Sequence, residues 1–419
     1  MKILILSSEQ FIPVHEPLAG TFQYDQSRIL INAGYDVAVI SVQLKFSLPM
    51  LLKAISCRFV GKKIENDTGK ETMAGLFKLL YQKMFQPASF IIKEQISGIN
   101  VYRAEGFYMT RPSDKKDYRY WLKAGMIGFE QYINDNGKPD ILHAHNALYA
   151  GILAATIKTK YGIPFMLTEH SSYYSRKLYN ENLLPKAQYV FEQAQVATTV
   201  SPFLAGCLQQ MFSTAVQWKV LPNVAEPVFE EIPLLEKKRN DSFVFLHIAN
   251  LIPLKRQALL IQAFHEAFEK NESVRLEFAG EGETLNELKQ LVSSLDENKR
   301  ISFLGLLSKE KIFEKLNEVQ VVCLPSQYET FGVSLLEAIL RGVPIIATSC
   351  GGPNEIVTPE NGLLVNVDDK IALQHSLKKI KEEYSTYSAT IIRNQAIEKY
   401  GAKKFLQKLN NYYSQLLNE

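Results

Sequence analysis

Short apolar runs alternate with segments of helical periodicity along most of this chain, which is the pattern of strands and helices taken in turn. The first run, residues 2–6, leads through a loop containing Gly20 into a helical segment at 22–33. Gly34, Tyr35 and Asp36 then turn the chain into a second strand at 37–40. A helix is expected at 118–133, a strand up to His145, a helix at 148–158, and strands at 165–168 and 196–200. Glu169, His170, Ser171 and Ser172 follow the first of those two strands, and Ser201 before Pro202 is a good N-cap for the next helix. A polar, charged, proline-punctuated stretch at 226–241 marks a linker, after which the alternation resumes. Strands are expected at 243–249, 275–279, 301–304, 321–324, 345–348 and 362–365, with helices between them at 257–269 and 285–294 among others. From 371 to 419 the spacing is helical throughout. Strand–helix alternation of this kind predicts an α/β chain with two Rossmann-like, doubly wound domains facing a central cleft. The expected boundaries are 1–222, 223–404 and a C-terminal helix at 405–419 that packs back on the first domain.

One region departs from that alternation. Between about 43 and 93 the strand–helix pattern loosens into a basic and apolar insertion. Lys45, Lys53, Arg58, Lys62, Lys63, Lys70, Lys78 and Lys83 face only Glu65, Asp67 and Glu71, with large apolar residues interleaved. Such a stretch fits either an anionic membrane surface contacted through 45–85 or a helical insertion packing on its own domain.

Composition narrows the class. A length of 419 residues, 46% apolar and 22% charged, suits a soluble protein of two or three domains. A net charge of +3 gives no argument for nucleic acid. Cys57, Cys207, Cys323 and Cys350 are scattered, which fits a reducing compartment better than a disulfide framework. No apolar stretch approaches the roughly 18 residues of a membrane span, and the first run is too short for a secretory segment. The expected location is cytoplasmic, with a possible peripheral contact at the inner face of the membrane.

Candidate chemistry concentrates at one strand–loop–helix unit. Residues 321–324 read as a buried strand ended by Pro325 and Ser326. Gly332 opens a helix carrying Leu335, Leu336, Ile339 and Leu340, and Gly342 with Pro344 stops it. The unpaired N–H groups and dipole at such a helix start suit a phosphate, and Glu329 and Glu337 bracket the loop. Other strand ends supply Asn250, Lys255 and Arg256, then Gly280 and Gly282, Gly305, and Gly351 with Gly352. Together these loops point to a phosphorylated, nucleotide-like ligand. There is no Walker-type G-x-x-x-x-G-K-[ST] loop and no G-x-G-x-x-G after the first strand of either half, which disfavours an NTPase or a dinucleotide oxidoreductase. No Asp-x-Asp or histidine cluster suggests a divalent metal, so no metal or other cofactor is expected. The charge of a departing diphosphate would then be met by Lys255, Arg256 and the backbone at 331–334.

The run Pro325, Ser326, Glu329, Phe331, Gly332, Glu337, Ala338, Gly342 and Pro344, followed by Gly351, Gly352 and Glu355, resembles the signature of retaining glycosyltransferases of family 4, with its E-x7-E motif and GT-B fold. Weaker matches extend the resemblance to Gly20, Gly34, Val37, Asp140, His145, His170, Leu221, Asn223 and Lys255. The resemblance implies that Glu337 accepts hydrogen bonds from the ribose of a nucleotide-sugar donor. Glu329 would lie by the donor sugar and Lys255 on the diphosphate. The N–H groups of Phe331, Gly332 and Val333 would hold phosphate and sugar. His170 would approach the donor from the first domain, and Gly20 would border acceptor and phosphates. It implies metal-independent transfer with retention to a glycan or lipid-linked acceptor, as in cell-surface polysaccharide or lipopolysaccharide assembly. An epimerase or phosphorylase on the same fold, or a non-catalytic binding subunit, are the alternatives. Three departures stand out. Asn250 occupies a position where the family commonly has arginine, so that Arg256 is the cation that would replace it. Val224, Ala225 and Glu226 stand where Gly-Val-Asp is usual, and Pro353 with Asn354 alter the Gly-Gly-x-Pro-Glu pattern.

Overall fold

The computed structural model describes every residue except 13–20, 46–47, 60–71, 86–88, 108–116, 180, 213–215, 236–241, 270–272, 296–298 and 419. The chain divides into two units, one made of Met1–Thr198, Gln209–Lys219 and Asn410–Glu419, the other of Thr199–Leu208 and Val220–Leu409. Up to Val220 the elements run β1 (Lys2–Ser7), α1 (Thr21–Asn32), β2 (Asp36–Lys45), α2 (Leu48–Phe59), α3 (Met73–Phe85), β3 (Ser89–Ile96), β4 (Ile99–Phe107), α4 (Asp117–Asn136), β5 (Ile141–His145), α5 (Ile152–Tyr161), β6 (Phe165–Glu169), α6 (Leu184–Gln193), β7 (Val196–Thr199), α7 (Pro202–Met211) and β8 (Lys219–Val220). They are followed by α8 (Val228–Glu231), β9 (Phe243–Ile248), α9 (Gln257–Phe268), β10 (Val274–Ala279), α10 (Leu285–Leu295), β11 (Ile301–Gly305), α11 (Lys309–Leu316), β12 (Val321–Leu324), α12 (Val333–Leu340), β13 (Ile345–Thr348), α13 (Pro353–Ile356), β14 (Gly362–Val365), α14 (Lys370–Glu382), α15 (Ala389–Tyr400) and α16 (Ala402–Asn418).

The first sheet has the order β3-β4-β2-β1-β5-β6-β7-β8 and the second β11-β10-β9-β12-β13-β14. In the second sheet the registered pairs are all parallel, and its central strands β9, β12 and β13 are buried and read as nearly continuous apolar runs. Ile3, Leu4, Ile5 and Leu6 of β1 are likewise fully buried, each aliphatic side chain contributing about 1.5–3 kcal/mol of transfer free energy. In both sheets the winding reverses beside the first strand of the unit, between β1 and β5 and between β9 and β12. Loops leaving the carboxyl ends of those paired strands become neighbours there, the usual ligand position of a doubly wound sheet.

Several sequence expectations are corrected. The insertion contains a strand, β3, antiparallel to β4, which the loosened periodicity did not reveal. Its helices α2 and α3 pack on each other through Leu51, Ala54, Ile55, Leu76 and Leu79. That hairpin leaves Leu52, Phe59, Phe77 and Tyr81 on its outside, 48–71% exposed. The polar stretch at 226–241 opens with α8, whose Phe229 is fully buried. Arg341 donates to the carbonyls of Ile232 at 2.5 Å and Pro233 at 3.0 Å, and Arg393 to that of Glu230, so the segment is clamped as structure rather than left as a tether. The helix expected at 148–158 begins only at Ile152. Before it lies an irregular turn, with Asn146 at φ 71° and Tyr149 at φ 66°. Among the described residues, no helix is long and apolar enough to cross a membrane.

Candidate active site

Lys255 and Glu329 are brought together by the reversal between β9 and β12, because the loop after β9 carries one and the loop after β12 the other. Lys255 Nζ donates to Glu329 Oε1 at 2.5 Å, and Ser326 Oγ donates to the same oxygen at 2.8 Å. Their side chains keep 18% and 13% of their surface, enough to meet a ligand but too little for the ion pair to be solvated away. The loop is fixed from beneath: Glu329 N–H donates to Cys350 O, Gly352 N–H to Glu329 O, and Thr348 Oγ1 to Ser326 O.

Gly332, with φ 106°, is the residue before α12, and no side chain caps that helix start. Phe331, Gly332 and Val333 therefore present a helix N-terminus beside Glu329, an arrangement suited to an anion. The other end of α12 closes as a Schellman motif: Gly342, with φ 64°, donates to Ile339 O and Val343 to Ala338 O. In the second turn of α12, Glu337 is 2% exposed and its Oε1 is paired with Lys309 Nζ.

The remaining candidate residues of the second unit sort differently. Arg256 is held against Asp368, Nε to Oδ1 at 2.7 Å and Nη2 to Oδ2 at 3.0 Å. Asn250 is exposed, and its backbone oxygen accepts from Gln257 Nε2 at 2.9 Å. Gln257 Nε2 also lies 3.2 Å from His247 Nε2, and His247 Nδ1 lies 2.8 Å from Cys323 O. Burial pushes the His247 imidazole down to about 4, so it is neutral, donates from Nδ1 and accepts at Nε2. A hydrogen-bonded line from β12 through β9 thus positions the 250 loop. Glycines in these loops allow neighbouring backbone segments to pack closely. A Cβ at Gly280 would stand 2.0 Å from Ala249 O, at Gly282 2.2 Å from Leu251 O, and at Gly352 2.3 Å from Phe331 Cα. Gly20 lies outside the described residues.

His170 belongs to the other unit and follows β6. Its Nε2 lies 2.8 Å from His145 Nδ1, and its ring packs on Phe22 with centroids 4.3 Å apart. His143 and His145, two apart on β5, point to the same side and stack at 4.5 Å. His143 in turn meets Tyr413 OH of α16 and Gln26 at 2.9 Å each, and Thr168 Oγ1 at 2.7 Å. Desolvation lowers the His145 imidazole to about 3. Beside them Glu169 is fully buried and accepts N–H bonds from Ala147, His170 and Ser171 at 2.8–3.1 Å. Burial outweighs those bonds and raises its carboxyl to about 7. Among the described residues no group of three or more His, Cys, Asp or Glu side chains could hold a metal ion.

A family described as "Glycosyl transferases group 1" matches residues 229–403, and one described as "Glycosyltransferase Family 4" matches residues 95–227. The chain belongs to the family 4 glycosyltransferases. An uncharacterized glycosyltransferase of Methanocaldococcus jannaschii is 26% identical over 76% of this chain and 85% of its own. The UDP-Gal:alpha-D-GlcNAc-diphosphoundecaprenol alpha-1,3-galactosyltransferase of Escherichia coli is 27% identical over 66% of this chain and 75% of its own. Among solved structures, Anabaena HepE in complex with UDP superposes with a TM-score of 0.67 at 18% identity, covering 99% of this chain and all of that one. The fold is of the GT-B type.

Three contacts in this glycosyltransferase escaped the sequence. Ser326, a strand terminator and part of the family 4 signature, gave no sign of its bond to Glu329. His145 stood among the weaker family matches, but its approach to His170 requires the β5–β6 pairing. Lys309 carried a faint signal: a cation in the first turn of a helix opposes the helix dipole.

Proposed function

We propose that this glycosyltransferase moves a sugar from a nucleoside-diphosphate sugar to a lipid-linked glycan acceptor with retention of configuration and without a metal. The paired Lys255 and Glu329 beside the uncapped start of α12 carry this reading. Lys255 and the N–H groups of Phe331, Gly332 and Val333 would supply the positive field that a metal supplies elsewhere. Glu329 would hold the hydroxyls of the donor sugar, Glu337 the ribose, and His170 the donor from its own unit, with Asn250, Arg256 and Gly20 at the margins. In same-face transfer the leaving phosphate takes the acceptor proton, so no separate protein base is required. A lipid-linked acceptor is supported by the diphosphoundecaprenol in the name of the E. coli relative, and a UDP donor by the UDP in the HepE complex.

The same reading places the enzyme in the cytoplasm, peripherally at the inner face of the membrane. The exposed Leu52, Phe59, Phe77 and Tyr81 on α2 and α3, with Lys53 and Lys78 exposed among them, are suited to an anionic bilayer surface.

A thermal-shift screen with UDP, GDP, ADP and their sugars tests the donor assignment, since a ligand of the native state raises the melting temperature. Product NMR with donor and acceptor, in excess EDTA, then reads the anomeric configuration. An inverted product, or loss of activity restored by added metal, would sink the mechanism. No shift with any nucleotide would sink the donor class.

A further inference from the structure

Lys309 opens α11 directly after its N-cap Ser308, whose side chain accepts the N–H of Lys311. A lysine there works against the helix dipole, so helix stability does not account for it. Its side chain passes the Phe229 ring at 5.7 Å and ends on Glu337 Oε1. The lysine side chain is 16% exposed and the glutamate 3%. A carboxylate so buried has little access to water and depends on a protein partner for its hydrogen bonds. A buried ion pair is also weak as a device for stability, because desolvation offsets most of the attraction.

We propose that Lys309 is a positioning residue for the nucleotide. It fixes the Glu337 carboxylate through Oε1, so that Oε2 accepts hydrogen bonds from the two ribose hydroxyls. This rests on the assignment of Glu337 to the ribose under Proposed function. Without Lys309 the Glu337 carboxylate loses the partner that fixes its Oε1. With Lys309 it becomes a preorganised acceptor selective for a vicinal diol, and the enzyme discriminates ribonucleotides from nucleotides lacking those hydroxyls.

The test pairs protein changes with removal of the hydroxyls. Calorimetric affinities for UDP and 2′,3′-dideoxy-UDP are measured on the wild type, Lys309→Met, Lys309→Arg, Glu337→Gln and the Lys309→Met/Glu337→Gln double variant. The corresponding GDP pair is used if the thermal screen selects guanine. Loss of a charged acceptor predicts UDP binding about 10- to 100-fold weaker in Lys309→Met and in Glu337→Gln. Dideoxy-UDP binding should change by less than about threefold, the double variant should lose no more than either single one, and Lys309→Arg should recover most of the loss. If Lys309→Met does not fold, Lys309→Gln carries the same comparison. Equal loss for both nucleotides in the lysine variants, or no loss while Glu337→Gln loses UDP selectively, overturns the role of Lys309. An unchanged UDP affinity in Glu337→Gln overturns the ribose assignment and the inference with it.

Discussion

Lys255 Nζ and Glu329 Oε1 lie 2.5 Å apart although 74 residues separate them in sequence. The separation closes because β9 and β12 are neighbours in a sheet whose winding reverses between them. Each strand end delivers one charge, and Ser326 and the Cys350 carbonyl fix the glutamate from below.

The two halves of the pair should therefore fail differently. Lys255→Ala removes the cation nearest the expected diphosphate, and nucleoside-diphosphate affinity should fall about 10- to 100-fold. Glu329→Gln keeps the shape and should leave affinity within about threefold while turnover drops about 100-fold or more. Arg256→Ala should cost less affinity than Lys255→Ala, since Arg256 is already engaged by Asp368. Calorimetry and initial rates on the three variants check this; equal affinity losses for Lys255 and Arg256 would refute the ordering.

How much of this was readable beforehand follows from where each contact comes from. The strands Val321–Leu324, Ile345–Thr348 and Gly362–Val365 match their expected bounds, because buried parallel strands are continuous apolar runs ended by Gly, Pro and Ser. The Gly342 stop of α12 was equally plain. Glu329, Lys255 and the α12 start were legible as strand-end features, and the sheet order makes their meeting specific. The pairing of Lys309 with Glu337 was not legible, since it links two helices through side-chain reach alone. Strand β3 and the clamping of 229–233 by Arg341 were hidden for the opposite reason: their local sequence shows no clear period, and long-range pairing decides the structure.

Gly351 tests the support of the Glu329 loop. Its φ is 123°, and a Cβ there would stand 2.5 Å from Glu329 O and 2.7 Å from the Phe203 ring. Gly351→Ala should cost on the order of 1–3 kcal/mol of stability and lower turnover by shifting the backbone of Glu329. Gly206→Ala is the matched control: Gly206 is exposed in α7 with nothing within 4 Å of an added Cβ. There alanine should stabilise by about 0.5–1 kcal/mol with activity unchanged. Urea unfolding and initial rates decide both; an active, fully stable Gly351→Ala would show that the loop tolerates movement.

Tyr413 offers a test of the histidine stack. Its hydroxyl is buried and lies 2.9 Å from His143 Nδ1. Tyr413→Phe removes that partner from a fully buried ring, which should lower stability by about 1–3 kcal/mol. Gln26 remains as a second partner for the same nitrogen, so the Gln26→Leu/Tyr413→Phe double variant should lose more than the two single losses added together. Simple additivity in urea unfolding would mean that the two partners act independently.

The last prediction concerns acid. His145 is held at about 3 in the fold against an ordinary 6.5, so its contribution is present above pH 6.5 and is lost on acidification. At pH 5 that loss is about 2 kcal/mol, at 1.36 kcal/mol per pH unit. His143, also lowered by burial and by its histidine neighbours, acts in the same direction. Glu169 acts oppositely. Raised to about 7 from 4.5, it stabilises most below pH 4.5, and that contribution fades as pH rises through 7. Between pH 7 and 5 its protonation returns roughly 2–3 kcal/mol, about what His145 alone loses. Glu169→Gln removes the compensating proton, so its stability should fall more steeply than the wild type's from pH 7 to pH 5, by about that amount. His145→Asn should shift the same difference the other way. Urea unfolding at the two pH values reads each slope directly, and a Glu169→Gln slope equal to that of the wild type would mean that Glu169 is already ionised throughout this range.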